Sequence, residues 1–171
     1  MARLFVGLKV PENICRLIAR QAPLPAGAAA IPVQNYHVTL VFIGEAEAAE
    51  VKAAIGGLRF EPIALYTLGY GHFSQKLFYL GIRPVAELLG LQKSLVSALC
   101  QARVPVDTRS FVPHITLARA SQPWRQDETE TCINRPVTAH SWRAEGYSLF
   151  CSELRPSGVC YTEIVKFPAL S

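Results

Sequence analysis

A chain of 171 residues, half of them hydrophobic and 18% charged, is long enough to bury a core and too apolar to be disordered. Its formal net charge of +4 suits a phosphate-bearing ligand and is too small to require nucleic acid. Five cysteines (Cys15, Cys100, Cys132, Cys151 and Cys160), odd in number and without a C-x-x-C pair, argue against a zinc site or a disulfide framework and for reduced thiols in the cytoplasm.

Taken in order, Arg3–Val10 reads as a buried strand, too short to be a secretory signal, and Pro11 ends it. A helix follows, with Pro11 in its first turn and Ile14, Leu17 and Ile18 on one face. Residues 22–34 form a Pro/Gly/Ala loop, and no membrane segment is expected there or elsewhere. Tyr36–Ile43 reads as a strand ended by Gly44. The stretch 45–58 reads as a helix with Val51, Ala54, Ile55 and Leu58 as its apolar stripe. Ile63–Leu68 predicts a strand, Gly69–Ser74 a turn, and Lys76–Arg83 a second strand. The longest helix spans 85–103 and stops at Pro105. Phe111–Ala118 is again strand-like, 120–135 is a polar surface excursion, and two closing strands cover 141–152 and 159–167.

One tetrapeptide occurs twice: His37-Val38-Thr39-Leu40 and His114-Ile115-Thr116-Leu117, each on an apolar, β-branched run. Residues i and i+2 of a strand share a face, so each copy aims an imidazole and a hydroxyl together while its aliphatic pair faces the core. Two such strands side by side would offer a proton-transfer pair and two neutral donors to an oxyanion. The plain alternative is two core strands that happen to carry histidine. His72-Phe73-Ser74 is a near-match that reads as a loop, and His140 reads as a surface histidine. Trp124 and Trp142 are expected to pack, and Tyr36 to face away from the histidines. The recurrence about half a chain apart predicts an α+β fold over 1–171. Its two pseudo-symmetric lobes would each be a small, mainly antiparallel sheet with outer helices, facing across a central cleft.

The paired motifs resemble those of the 2H phosphoesterases. Their flanks narrow the likeness: Arg3-Leu-Phe-Val-Gly-Leu, Asn35-Tyr-His-Val-Thr-Leu-Val-Phe-Ile-Gly44, Phe111-Val-Pro-His-Ile-Thr-Leu-Ala-Arg119 and Leu149-Phe-Cys-Ser-Glu-Leu-Arg-Pro156. Together they look like the bacterial and archaeal RNA 2′,3′-cyclic phosphodiesterases, also called 2′-5′ RNA ligases. Phe78-Tyr79 departs from an aliphatic–Trp pair frequent in that family, and 120–135 follows no family pattern. The resemblance implies hydrolysis of a 2′,3′-cyclic phosphate without metal or cofactor, leaving the phosphate on the 2′ oxygen. By that likeness His37 is the acid on O3′ and His114 the base on water, although the residues alone leave the reverse assignment open. Thr39 and Thr116 would hold the non-bridging oxygens, Arg119 would contact phosphate or base, and Phe42 would stack the terminal base.

Two imidazoles in opposite protonation states predict a bell-shaped pH profile with limbs on either side of neutrality. RNA ends or cyclic nucleotides are the expected partners of a monomeric protein. The competing reading is a nucleotide- or 2′-5′-oligonucleotide-binding module with another substrate or little turnover.

Overall fold

The computed structural model describes residues 1–171. Nine strands and four helices follow the chain: β1 (Ala2–Lys9), α1 (Glu12–Gln21), β2 (Ala29–Ala30), β3 (His37–Ala46), α2 (Ala48–Ile55), β4 (Ile63–Phe73), β5 (Leu77–Ile82), α3 (Ala86–Gln101), β6 (His114–Arg119), α4 (Gln126–Ile133), β7 (Ser141–Ala144), β8 (Gly146–Arg155) and β9 (Gly158–Pro168). A 3₁₀ turn over Val33–Asn35 leads into β3.

All the strands join one antiparallel sheet in the order β7-β4-β5-β6-β3-β1-β8-β9, with the short β2 also pairing with β6. The two expected lobes are therefore the four-stranded halves of a single sheet, not two separate sheets. They meet at one residue pair, Val38 opposite Ile115. Beyond it β3 leaves β6, and β2 takes up the vacated edge through Ala29–Arg119 and Ala30–Ala118. The sheet is curled. Ala144 ends the edge strand β7 and Gly146 begins β8 in the other half, so two residues of chain, reaching about 7 Å, must span between the halves.

Four readings of the sequence change. The 141–152 segment is two strands, because Glu145 breaks it and the pieces pair with β4 and β1 in opposite halves. The helix expected from 45 begins at Ala48, since Glu45 and Ala46 stay in β3 opposite Arg3 and Ala2. The expected turn at 69–74 is the end of β4, and the chain reverses at Ser74 and Gln75, both at φ +52°. The polar 120–135 segment contains α4, whose Thr129 is buried and donates to the Arg125 carbonyl at 2.8 Å.

One face of the sheet is covered by helices. Leu88, Leu91, Leu95 and Leu99 recur at helical spacing on α3, Ile18 lies on α1, and Val51 and Ile55 lie on α2. They pack with Leu4, Val6 and Leu8 of β1, Val38 and Leu40 of β3, and Ile115 and Leu117 of β6 in one core. Each fully buried Leu contributes roughly 1.5–3 kcal/mol, so removing one from the seam would loosen both motif strands at once. Trp124, Trp142 and Tyr36 are buried in the same core, as expected. Strand alternation turns the residues between these core positions toward the opposite, open face, where the histidines lie.

Candidate active site

The seam decides which polar side chains meet. Continuing the antiparallel register one residue either way from Val38–Ile115 sets His37 opposite Thr116 and Thr39 opposite His114. Val38 and Ile115 are fully buried, and the four polar residues alternate with them onto the open face. The result is a diagonal square in which each imidazole has a hydroxyl beside it on its own strand and another across the seam.

Both rings are held in the same way. His37 Nδ1 donates to the Asn35 carbonyl at 2.7 Å, and His114 Nδ1 donates to the Val112 carbonyl at 2.6 Å. A carbonyl can only accept, so these bonds fix the proton on Nδ1 and leave Nε2 as the working nitrogen of each ring. At His37 the Thr39 hydroxyl sits 2.9 Å from Nε2 and donates to it when the ring is neutral. No carboxylate touches either imidazole.

Position +5 of each motif should face the core if the strands alternate strictly. It does not, because each strand carries a bulge at the same place. On β6, Thr116 lies opposite Tyr79, Ala118 opposite Phe78 and Arg119 opposite Leu77, so Leu117 is the extra residue. On β3, Thr39 lies opposite Gly7, Val41 opposite Val6 and Phe42 opposite Phe5, so Leu40 is extra. Two successive residues then face the core (Leu40-Val41 and Leu117-Ala118, all buried), and the next returns to the open face. Phe42 is accordingly 49% exposed and Arg119 is exposed. The Asp107 N–H donates to the Phe42 carbonyl at 2.9 Å and fixes that end of β3.

Each ring is also walled by two aromatic side chains from other strands, which sequence reading missed. Phe5 and Tyr161 have ring centroids 4.8 and 5.0 Å from His37, and Tyr79 and Phe73 lie 5.0 and 5.2 Å from His114. The ring of Tyr79 lies across Gly71, where a Cβ would come within 2.4 Å of it, so only glycine leaves room for it there. Phe150 stacks on Phe5 at 5.0 Å and backs the His37 wall. One sign of these residues was in the sequence: Tyr79 shares the open-face register of β5 with Leu77.

These walls set the electrostatics. Burial pushes the His37 pKa down to about 4, and its bond to the Asn35 carbonyl only partly offsets this. The charges of His114 and Arg119 push it the same way. His114 is also held below its ordinary value, first by burial and then by Arg119, against the opposing pull of the Val112 carbonyl. Arg119 therefore acts on both imidazoles, whereas Phe42 reaches His37 only through Phe5, whose ring is 6.4 Å away. Held below 6.5, both rings are neutral at pH 7, and an anion beside them would restore the charge. His37 also lines a cleft of about 610 Å³ on its β1 side, with Lys9, Asn35, Tyr161 and Glu163.

The remaining histidines lie elsewhere. His72 Nδ1 accepts the Gln75 N–H at 3.2 Å and braces the turn after β4, so it is a strand residue with a structural bond, not a loop residue. His140 exchanges hydrogen bonds with Thr67 and meets Gln21 at 3.1 Å. Nowhere do three or more His, Cys, Asp or Glu side chains gather as a metal site would need. No helix is long and apolar enough to cross a membrane.

A family profile described as the 2′-5′ RNA ligase superfamily matches residues 10–152. An RNA 2′,3′-cyclic phosphodiesterase of Thermus thermophilus is 29% identical over 184 residues, covering 96% of this chain and 89% of its own. A protein of the same name from Geobacillus stearothermophilus is 26% identical but longer, and the match covers 46% of it. The crystal structure of E. coli LigT complexed with 3′-AMP superposes with a TM-score of 0.81 over 99% of both chains. At 22% identity that likeness establishes the curled antiparallel fold alone. With the match spanning both His/Thr strands and the relatives agreeing along nearly the whole chain, this protein belongs to the 2′-5′ RNA ligase superfamily and, within it, to the family of the RNA 2′,3′-cyclic phosphodiesterases.

Proposed function

We propose that this protein hydrolyses the 2′,3′-cyclic phosphate at RNA ends to a 2′-phosphomonoester, working as a monomer over 1–171 in the cytoplasm. The observation that carries the reading is the seam square. It holds two imidazoles by the same Nδ1 bond, turns each Nε2 toward the open face and gives each ring two nearby hydroxyls, with Thr39 already on His37 Nε2. A binding module needs donors; it does not need two titratable nitrogens left without a partner carboxylate. The five free cysteines suit a reducing compartment.

In this mechanism the anionic cyclic phosphate enters the square and supplies the negative charge that favours one protonated ring. His114 Nε2 takes a proton from water as its oxygen attacks phosphorus. The bond from phosphorus to O3′ breaks, and His37 Nε2–H gives that oxygen its proton, leaving the phosphate on O2′. Thr39 turns its hydroxyl from His37 to a non-bridging oxygen, and Thr116 and Arg119 meet the charge that builds up on the other. Phe42 offers its exposed ring to the terminal base. A 5′-hydroxyl in place of water would form a 2′-5′ bond by the same steps. No metal has a part in this scheme.

The test is to incubate the protein with 2′,3′-cyclic mononucleotides and with RNA carrying a cyclic end. The expected product is the 2′-phosphate from both. A 3′-phosphate, or no product from either, defeats the reading. A substrate with sulfur at the 3′ bridge assigns the roles, since its leaving group needs no acid. His37→Ala should then regain turnover and His114→Ala should not.

A further inference from the structure

We propose that the open face of the β6-side half is a platform for single-stranded RNA. Nucleotides upstream of the cyclic phosphate stack on Tyr66 and set their phosphates on Arg83 and Arg143. The proposal rests on the RNA-end reading above and extends it from the terminal nucleotide to the chain behind it.

Three observations lead there. On β4, buried Ile63, Leu65 and Thr67 alternate with Ala64, Tyr66 and Leu68, so the second set faces away from the helices. Tyr66 is 39% and Leu68 52% exposed, two adjacent apolar side chains left open to solvent on this face. The pair is continuous with the site. His114 pairs with Gly81, and a Cβ on Gly81 would lie 3.5 Å from the Leu68 side chain. The next row holds Tyr66, with the Arg83 guanidinium 5.3 Å above its ring, and the row after that pairs Ala64 with Arg143. Two strand spacings and two residues of rise place Tyr66 about 12 Å from His114.

Charge selects the occupant. β4, β5, β6 and β7 carry no Asp or Glu, and Arg83, Arg119 and Arg143 take part in none of the six ion pairs. On the other half, Lys9 is tied to Glu163 at 2.5 Å. An exposed ring beside unpaired guanidinium groups binds a strand of bases and phosphates whatever its sequence, because every base has a face to stack. An acidic peptide would answer the charge but leave the ring and Leu68 without a partner.

The experiment compares a 2′,3′-cyclic mononucleotide with a short oligoribonucleotide ending in the same cyclic nucleotide. The wild type should favour the oligonucleotide through a lower KM. Tyr66→Ala, and Arg83→Ala combined with Arg143→Ala, should each cut kcat/KM for the oligonucleotide roughly five- to a hundredfold and leave the mononucleotide unchanged. Tyr66→Phe, which keeps the ring, should retain the preference. Equal losses on both substrates, or no preference in the wild type, overturn the proposal. So does displacement of the oligonucleotide by oligoglutamate at equal charge concentration. If the wild type turns over neither substrate, the RNA-end reading fails by itself. Fluorescence anisotropy of a labelled single-stranded oligoribonucleotide then judges the platform: binding lost in Tyr66→Ala and kept in Tyr66→Phe sustains it, and any other pattern sinks it.

Discussion

The half of the sheet built on β3 and the half built on β6 repeat one device with different fittings. In both, a histidine gives its Nδ1 proton to the carbonyl two residues before it, a threonine follows at +2, and a bulge returns position +5 to the open face. Two aromatic rings wall each imidazole, one from the adjacent strand and one from a strand farther off in the same half. The fittings differ at +5, where β3 carries Phe42 and β6 carries Arg119. They differ also in charge, since the β3 side holds the Lys9–Glu163 pair and the β6 side has unpaired arginines. The shared parts are those that moving two protons requires. The unshared parts divide the substrate, an apolar surface on one side and positive charge on the other.

The sharpest way to break this comparison is to remove the shared parts one at a time. Replacing His37 or His114 by Ala should each cost a factor of roughly 10²–10⁴ in turnover. The double variant should be little worse than the worse single one, because both protons move in one displacement. Turnover and melting temperature measured together decide the matter. A His→Ala variant that keeps more than about a tenth of wild-type turnover, or is inactive only because it has unfolded, returns the histidines to a packing role.

Next in size come the hydroxyls. Thr39→Ala and Thr116→Ala should each lower turnover about tenfold to a hundredfold, since the partner threonine and Arg119 remain. The two should be unequal if the Thr39 bond to His37 also positions that ring. Equal losses in steady-state assays would count the two threonines as simple donors.

The unshared +5 residues sharpen the comparison. Arg119→Ala should weaken turnover of every cyclic phosphate by about tenfold, through the loss of a charge-assisted contact. Phe42→Ala should affect only substrates that carry a base, by a comparable or smaller factor. Assaying both variants on a cyclic nucleotide and on a cyclic phosphate without a base separates them. An identical response would erase the division of labour.

A smaller effect concerns pH. kcat/KM reports the free protein, where both imidazoles sit below 6.5 and His37 near 4. Lowering a pKa moves its limb toward acid, so the bell should peak on the acid side of 6.5 and not straddle neutrality. In the complex the phosphate anion favours the charged rings, and the limbs of kcat should move back up. A kcat/KM optimum above pH 7 would mean that the walls do not desolvate the rings as the structure indicates. The same shift acts on stability. Below about pH 6.5 the unfolded chain binds protons that folded His37 refuses, so the melting temperature should fall as pH drops toward 4. His37→Gln should show a shallower fall. The smallest expected effect is none at all: turnover should be unchanged after EDTA, and loss restored by a divalent ion would replace the two-histidine scheme.

Much of this protein is determined by its sequence alone. The His-x-Thr strands, the long leucine-striped helix and the buried first strand are local patterns, written in the periodicity of neighbouring residues. Those same patterns set Val38, Leu40, Ile115 and Leu117 in the core and the His/Thr pairs on the other face. Only the tertiary structure decided what those pairs meet. That β3 lies beside β6, that residues 141–155 split between the two halves, and that Phe5, Tyr161, Tyr79 and Phe73 close around the imidazoles all depend on pairings between distant parts of the chain. The bulges make the point most clearly. A strand read with period two sends Phe42 and Arg119 to the core, and no single residue announces the extra one that reverses them. The reason is physical: a bulge is a mismatch between two strands, so it exists only when the partner strand is in place.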